Sequence, residues 1–125
     1  MPIQALNHFT VLTRDLDASL HFYVRVLGLT IGARPELPSS GAWLYLGEQA
    51  VLHVIVDPRA PERNGVIDHV AFTGVNLPEV TARLRSHGIQ FELVRQPGSG
   101  TWQLFLFEPS GGLLEINFDA SESEG

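Results

Sequence analysis

Four residues in this chain have the type and setting for metal chemistry. His8 lies in "LNHFTVL" (6–12), His53 in "AVLHVIV" (50–56), His69 in "IDHVAF" (67–72) and Glu115 in "LLEINF" (113–118). Each segment is otherwise apolar and reads as a β-strand with one metal-capable residue in its middle. Side chains alternate across a strand. Phe9 and Val11, Leu52 and Val54, Val70 and Phe72, and Leu114 and Ile116 therefore share the apolar face of their strands. His8, His53, His69 and Glu115 all fall on the opposite face. A buried carboxylate costs several kcal/mol unless it is paired or bound to a cation. Three imidazoles and one carboxylate relieve that cost together if a divalent ion lies between them. There is no cysteine, so the ligands can only be nitrogen and oxygen, which suit Zn, Ni, Co, Fe(II) or Mn. His21 sits in a helix-like segment beside Phe22 and Tyr23, and His87 in the last turn of another, so neither is expected to be a ligand.

The elements that must carry these residues come in duplicate. His8 and His69 are 69 − 8 = 61 positions apart, and a repeat at fixed spacing is the first feature to seek. A helical pattern follows each histidine: "DLDASLHFYVRVLGL" (15–29), capped by Asp15 or Asp17, and "NLPEVTARLRSHGI" (76–89), capped by Asn76. Both end in a glycine, Gly28 or Gly88, suited to a left-handed C-terminal turn. Next come "GAWLYLG" (41–47) and "GTWQLFLF" (100–107), each opening Gly-x-Trp, and then the strands of His53 and Glu115. The order β-α-β-β-β thus occurs twice, with module one at about 4–57 and module two at about 65–118 of one domain spanning 1–125. The fold class expected is α+β: two βαβββ modules forming curved mixed sheets around a metal-lined cavity. Trp43 and Tyr45 on one tryptophan strand, and Gln103 and Phe105 on the other, are assigned to the substrate pocket. The tail "DASESEG" (119–125) is acidic and expected to be disordered.

Composition narrows the function classes. The chain has 125 residues, is 44% hydrophobic and carries a formal charge of −6, enough apolar material for one packed domain. Its eight basic residues are all arginines, scattered without a stripe, which argues against nucleic-acid or anionic-membrane binding. No apolar run approaches the roughly 20 residues of a membrane span, and the start has no signal-peptide pattern. A cytoplasmic protein acting on a small molecule is expected.

The doubled plan, together with "HFTVLTRDLDASLHFYVRVLGL", "DHVAF" and "FEPSGGLLEI", resembles the vicinal-oxygen-chelate superfamily of glyoxalase I, extradiol dioxygenases, fosfomycin-resistance thiol transferases and bleomycin-binding proteins. The likeness spans about residues 4–118. It implies that His8, His69 and Glu115 form a two-His-one-carboxylate set with His53 as fourth ligand. It also implies that Glu115 doubles as catalytic base, and that the chain is a metal-dependent lyase, isomerase or dioxygenase working as a homodimer. The alternatives are a bleomycin-resistance-like binding protein without catalysis, or a fosfomycin-type thiol transferase. Within the glyoxalase I branch, the position of His53 is usually a glutamate. An arginine expected four residues after the first ligand is Leu12, and an asparagine expected four residues past the second is Asp57. These departures argue against glutathione-hemithioacetal isomerisation.

Overall fold

The computed structural model describes residues 5–61 and 67–124. The expected module limits at residues 4 and 65 lie outside the described residues, as does Gly125 of the tail. The chain divides into two compact units, Met1–Pro61 and Glu62–Gly125, each built β-α-β-β-β.

In the first unit, β1 (Phe9–Thr13) leads to α1 (Leu16–Leu20), then β2 (Thr30–Gly32), β3 (Gly41–Leu46) and β4 (Gln49–Val56). The sheet order is β1-β4-β3-β2. β1 runs parallel to β4 and the other pairs are antiparallel. Asp15 is the N-cap of α1, its carboxylate accepting from the Ala18 N–H at 3.0 Å. The helix then widens into a π-helical segment, His21–Val26, in which the Leu27 N–H reaches the Phe22 carbonyl at 3.0 Å. Phe22, Tyr23 and Val26 are buried. They join Leu44, Leu52 and Val54, the apolar face of β3 and β4, all fully buried, and α1 packs against β4.

The second unit repeats this plan with β5 (Val70–Thr73), α2 (Leu77–Ser86), β6 (Glu92–Arg95), β7 (Trp102–Phe107) and β8 (Leu113–Phe118). Its sheet order is β5-β8-β7-β6, with β5 parallel to β8. The core holds Leu77 and Leu84 of α2 with Leu104, Leu106, Leu114, Ile116 and Phe118. Gly88 takes φ +69°, and the Ile89 N–H bonds the Leu84 carbonyl at 2.9 Å, closing α2 with a Schellman turn. The expected α+β fold of two βαβββ modules is therefore present.

Three local expectations are corrected. Asn76 does not cap α2 with its side chain; its backbone is left-handed at φ 62°. The cap is Glu122, whose carboxylate accepts the N–H of Asn76 at 2.8 Å and of Leu77 at 2.7 Å. The Glu122 carbonyl also accepts the Trp102 indole N–H at 2.7 Å. The tail expected to be disordered is therefore bonded through Glu122 to α2 and β7, because its carboxylate meets unpaired helix N–H groups at the positive end of the dipole. Finally, the two Gly-x-Trp triplets are not structural equivalents. Trp43 pairs with His53, whereas Phe105 pairs with Glu115; at this offset of 62, Trp102 matches Ser40. Trp102 carries the Arg95 guanidinium 3.9 Å from its ring centroid and serves to hold the tail.

Candidate functional site

His8 and His69 do not lie mid-strand. Each stands one residue before its strand, β1 or β5, and each is exposed. His53 and Glu115 are mid-strand as expected. The reason is local: the apolar face of β1 and β5 is covered by Phe9 and Val11, or Val70 and Phe72, while the other face stays open.

In the second unit, Glu115 is 6% exposed, the most deeply buried of the four candidate ligands. Its Oε1 lies 3.1 Å from Nε2 of His69, and its Oε2 accepts a long 3.4 Å bond from the Gln103 amide. The other imidazole nitrogen, Nδ1, lies 2.6 Å from the Asp68 carboxylate. A carboxylate only accepts, so Asp68 draws the ring proton to Nδ1. In a neutral imidazole the Nε2 lone pair then faces the Glu115 oxygen, and two lone pairs at that distance repel. A positive charge between them is required. A proton is one such charge: the hydrogen bond that His69 donates to Asp68, and then the charge of Glu115, raise the His69 pKa above the usual histidine value against the opposing effect of burial. A metal ion supplies it equally well. With ligand bonds of about 2.1 Å, two donors at a right angle around an ion sit roughly 3.0 Å apart, so the residues present fit such a group. The Phe105 ring meets His69 edge-on, with centroids 6.3 Å apart.

The first unit repeats the constellation with different chemistry. His8 stacks on His53 with ring centroids 3.8 Å apart, and Trp43 stacks on the other face of His53 at 3.9 Å. His53 pairs with Trp43 as Glu115 pairs with Phe105, and His8 and His69 each precede by two residues the first-strand partner, Thr10 or Ala71. Nδ1 of His8 is 2.7 Å from the Asn7 amide oxygen, as Nδ1 of His69 is from Asp68. Each first histidine thus has Nδ1 held by the preceding side chain, which leaves Nε2 as the nitrogen available to a metal. Burial, followed by the neighbouring His8 and then Arg34, pushes His53 below the usual histidine range despite its bond to the Ala50 backbone. His53 is accordingly neutral near pH 7, the form that binds a metal.

Tyr45 is pinned, its hydroxyl donating to the Ala33 carbonyl at 2.6 Å; its ring lies where a Cβ on Gly32 would stand, 2.6 Å from that position. Within their own units, His53 meets His8 and Trp43, and His69 meets Glu115 and Phe105. Among the described residues, no group of three or more His, Asp or Glu side chains gathers around one point. Residue reasoning missed Asn7 and Asp68, although an Asx precedes the histidine in both repeats. It also missed Arg34, whose charge reaches His53 and whose buried Nε has no partner among the described residues. Arg14 and Arg95 are tied to backbone carbonyls, Arg14 to Ala60 at 2.8 Å and Arg95 to Gly100 and Ala120 at 3.2 and 3.3 Å.

The family model described as "Glyoxalase/Bleomycin resistance protein/Dioxygenase superfamily" matches residues 5–116. Glyoxylase I 4 of Arabidopsis thaliana is 33% identical over 123 residues, covering 91% of this chain and 70% of that protein. The glutathione transferase FosA of Serratia marcescens is 29% identical over 119 residues, covering 92% of this chain and 81% of that one. A glyoxalase family protein from Enterococcus faecalis superposes with a TM-score of 0.79 at 27% identity, covering 94% of this chain and 99% of that one. The doubled βαβββ plan and a family match over nearly its whole length place this chain in the glyoxalase/bleomycin resistance protein/dioxygenase superfamily, the vicinal-oxygen-chelate group.

Proposed function

We propose that this protein is a metal-dependent enzyme of the glyoxalase type, acting on a small substrate that presents two adjacent oxygens. His8, His53, His69 and Glu115 are the candidate ligands for a divalent ion, drawn from Zn, Ni, Co, Fe(II) and Mn. A homodimer belongs to this reading.

The observation that carries it is the 3.1 Å approach of His69 Nε2 to Glu115 Oε1 while Nδ1 is engaged by Asp68. That contact leaves a place between the two atoms for a shared proton or a metal ion, and supports the metal reading. When bound, the ion would act as a Lewis acid, polarising the substrate's paired oxygens and stabilising negative charge that develops on them. The remaining work belongs to the chain. Glu115, the one carboxylate of the set, accepts the substrate proton at Oε2, the oxygen the Gln103 amide holds in place. Asp68 and Asn7 keep the two leading imidazoles oriented. Trp43 and Phe105 flank the ligand pairs with aromatic surface. Neutral His53 in the place of a second carboxylate lowers the negative charge of the set, which leaves room for an anionic substrate.

The test is metal binding by calorimetry and by elemental analysis of purified protein. Wild type is expected to take up a divalent ion tightly. His69→Ala and Glu115→Gln should each weaken it by about 100-fold or more with an unchanged far-UV spectrum. A protein that binds none of the five ions up to millimolar concentration overturns the proposal.

A further inference from the structure

The second unit holds an open cavity of about 790 Å³, within the range of small-molecule sites. Its wall is largely apolar: Ile89, Phe91, Phe105, Phe107 and Leu113 line it, with Arg85 at the edge over the Phe91 ring. Phe105 belongs to both places. It lines this cavity and also meets His69 edge-on at 6.3 Å. Phe105 is thus shared between the cavity wall and the surroundings of the His69–Glu115 pair, neither of which lines the cavity itself.

The sheet ladder explains how polarity is distributed around that junction. Residues of β5, β8 and β7 that face the same way form rows across the sheet. One row is polar, Thr73–Asn117–Gln103; the next is Ala71–Glu115–Phe105; the third, Leu113–Phe107, is apolar. Successive rows are about 6.8 Å apart, two residues along a strand. Polarity thus falls along one direction, from Gln103 past Glu115 to Phe107, and the cavity lies at the apolar end. Phe107 is 66% exposed, a large aromatic surface beside a candidate catalytic carboxylate.

The charged groups in the wall are Arg85 and Glu92, of opposite sign. Such a rim offers no net positive field for a multiply charged group such as a tripeptide anion or a phosphonate. An uncharged apolar group fits it.

We infer that the substrate is amphipathic: an oxygen-chelating head at Glu115 and His69, joined to an apolar tail, aryl or branched alkyl, that lies along Phe105 and Phe107 in this cavity. This rests on the metal-dependent reading above. The tail must cross about one row spacing before it reaches Phe107 and Leu113, which is the span of a short linker followed by a ring. Phe107 and Phe91 are then specificity-determining residues that touch the tail and not the reacting atoms.

Calorimetry on zinc-loaded protein with two hydroxamates tests this. Acetohydroxamate carries the chelating head alone, and 4-phenylbutanohydroxamate adds the tail. The tail is expected to tighten binding roughly 10- to 100-fold, the gain from burying one phenyl-sized group. That ratio should collapse toward one in Phe107→Asp, an exposed position where folding is tolerated. Equal affinity for the two probes in wild type, or an undiminished ratio in Phe107→Asp, overturns the inference. So does a Phe107→Asp variant that changes the oligomeric mass while keeping the ratio, since the face is then an interface between copies. A tail-only probe, 4-phenylbutan-1-ol, separates the two readings on metal-free protein. If it shifts the amide resonances of Phe107 and Leu113 while hydroxamate binding ignores zinc, the tail site stands and the metal reading falls.

Discussion

Replacing Glu122 should unlatch α2, and the structure gives the size of the effect. The Glu122 carboxylate accepts two N–H groups, from Asn76 at 2.8 Å and Leu77 at 2.7 Å. In Glu122→Ala the exposed Asn76 N–H recovers a water. The Leu77 N–H, part-buried beside a fully buried side chain, recovers one less well, and an unsatisfied donor costs about 1–3 kcal/mol. Loss of the negative charge at the helix N-terminus adds about 0.3–1 kcal/mol at low salt. The expected destabilisation is about 2 kcal/mol, or a fall in Tm of roughly 6–10 °C for a chain of this size. Glu122→Gln keeps an acceptor oxygen and loses the charge, so about 1 kcal/mol is expected. The gap between wild type and Glu122→Gln should narrow as salt is raised. Urea unfolding followed by far-UV circular dichroism measures the stability, and amide exchange at residues 76, 77 and 80 localises it. The functional consequence follows from connectivity: α2 carries Arg85 and leads into Ile89 and Phe91 of the cavity wall. If the stability of Glu122→Ala lies within about 0.3 kcal/mol of wild type and the protection of residues 76 and 77 is unchanged, the capping argument is refuted.

Other outcomes are expected. In metal-free protein, proton NMR should find His69 titrating above the usual histidine value, and Asp68→Asn and Glu115→Gln should each bring it down. Because the folded value is raised, this ion pair stabilises fully below the ordinary value of about 6.5 and its contribution is lost as pH rises through the His69 value. His53 should titrate below the ordinary value, and His8→Ala should raise it; stability then falls as pH drops below about 6.5, where the unfolded chain takes up a proton that folded His53 resists. Leu104→Ala, at a fully buried position of β7, should cost about 2–5 kcal/mol in chemical unfolding. Trp43→Ala should expose the His53 ring and raise its titration point, whereas Trp43→Phe, which keeps a stacking surface, should leave it nearly where it is.

The sequence by itself determined the doubled βαβββ order, because alternation and helical spacing are local and each module repeats them. It also determined the parity that places His53 and Glu115 opposite the aliphatic residues of β4 and β8. A cap at Asp15 or Asp17, which the structure resolves to Asp15, and Gly88 as left-handed terminus were legible for the same reason. What needed tertiary structure depends on contacts between residues far apart in the chain. The Glu122 cap joins positions 46 and 45 residues apart, so an acidic tail looks unstructured until α2 is placed beside it. Strand register decided that Phe105, and not Trp102, corresponds to Trp43, since a shared Gly-x-Trp triplet carries no information about which residues pair across a sheet. The rows that carry polarity from Gln103 to Phe107 exist only once β7 and β8 are aligned, and so does the cavity that Phe105 and Phe107 line. Residue type fixes what a side chain can do; pairing across the sheet fixes what it does it to.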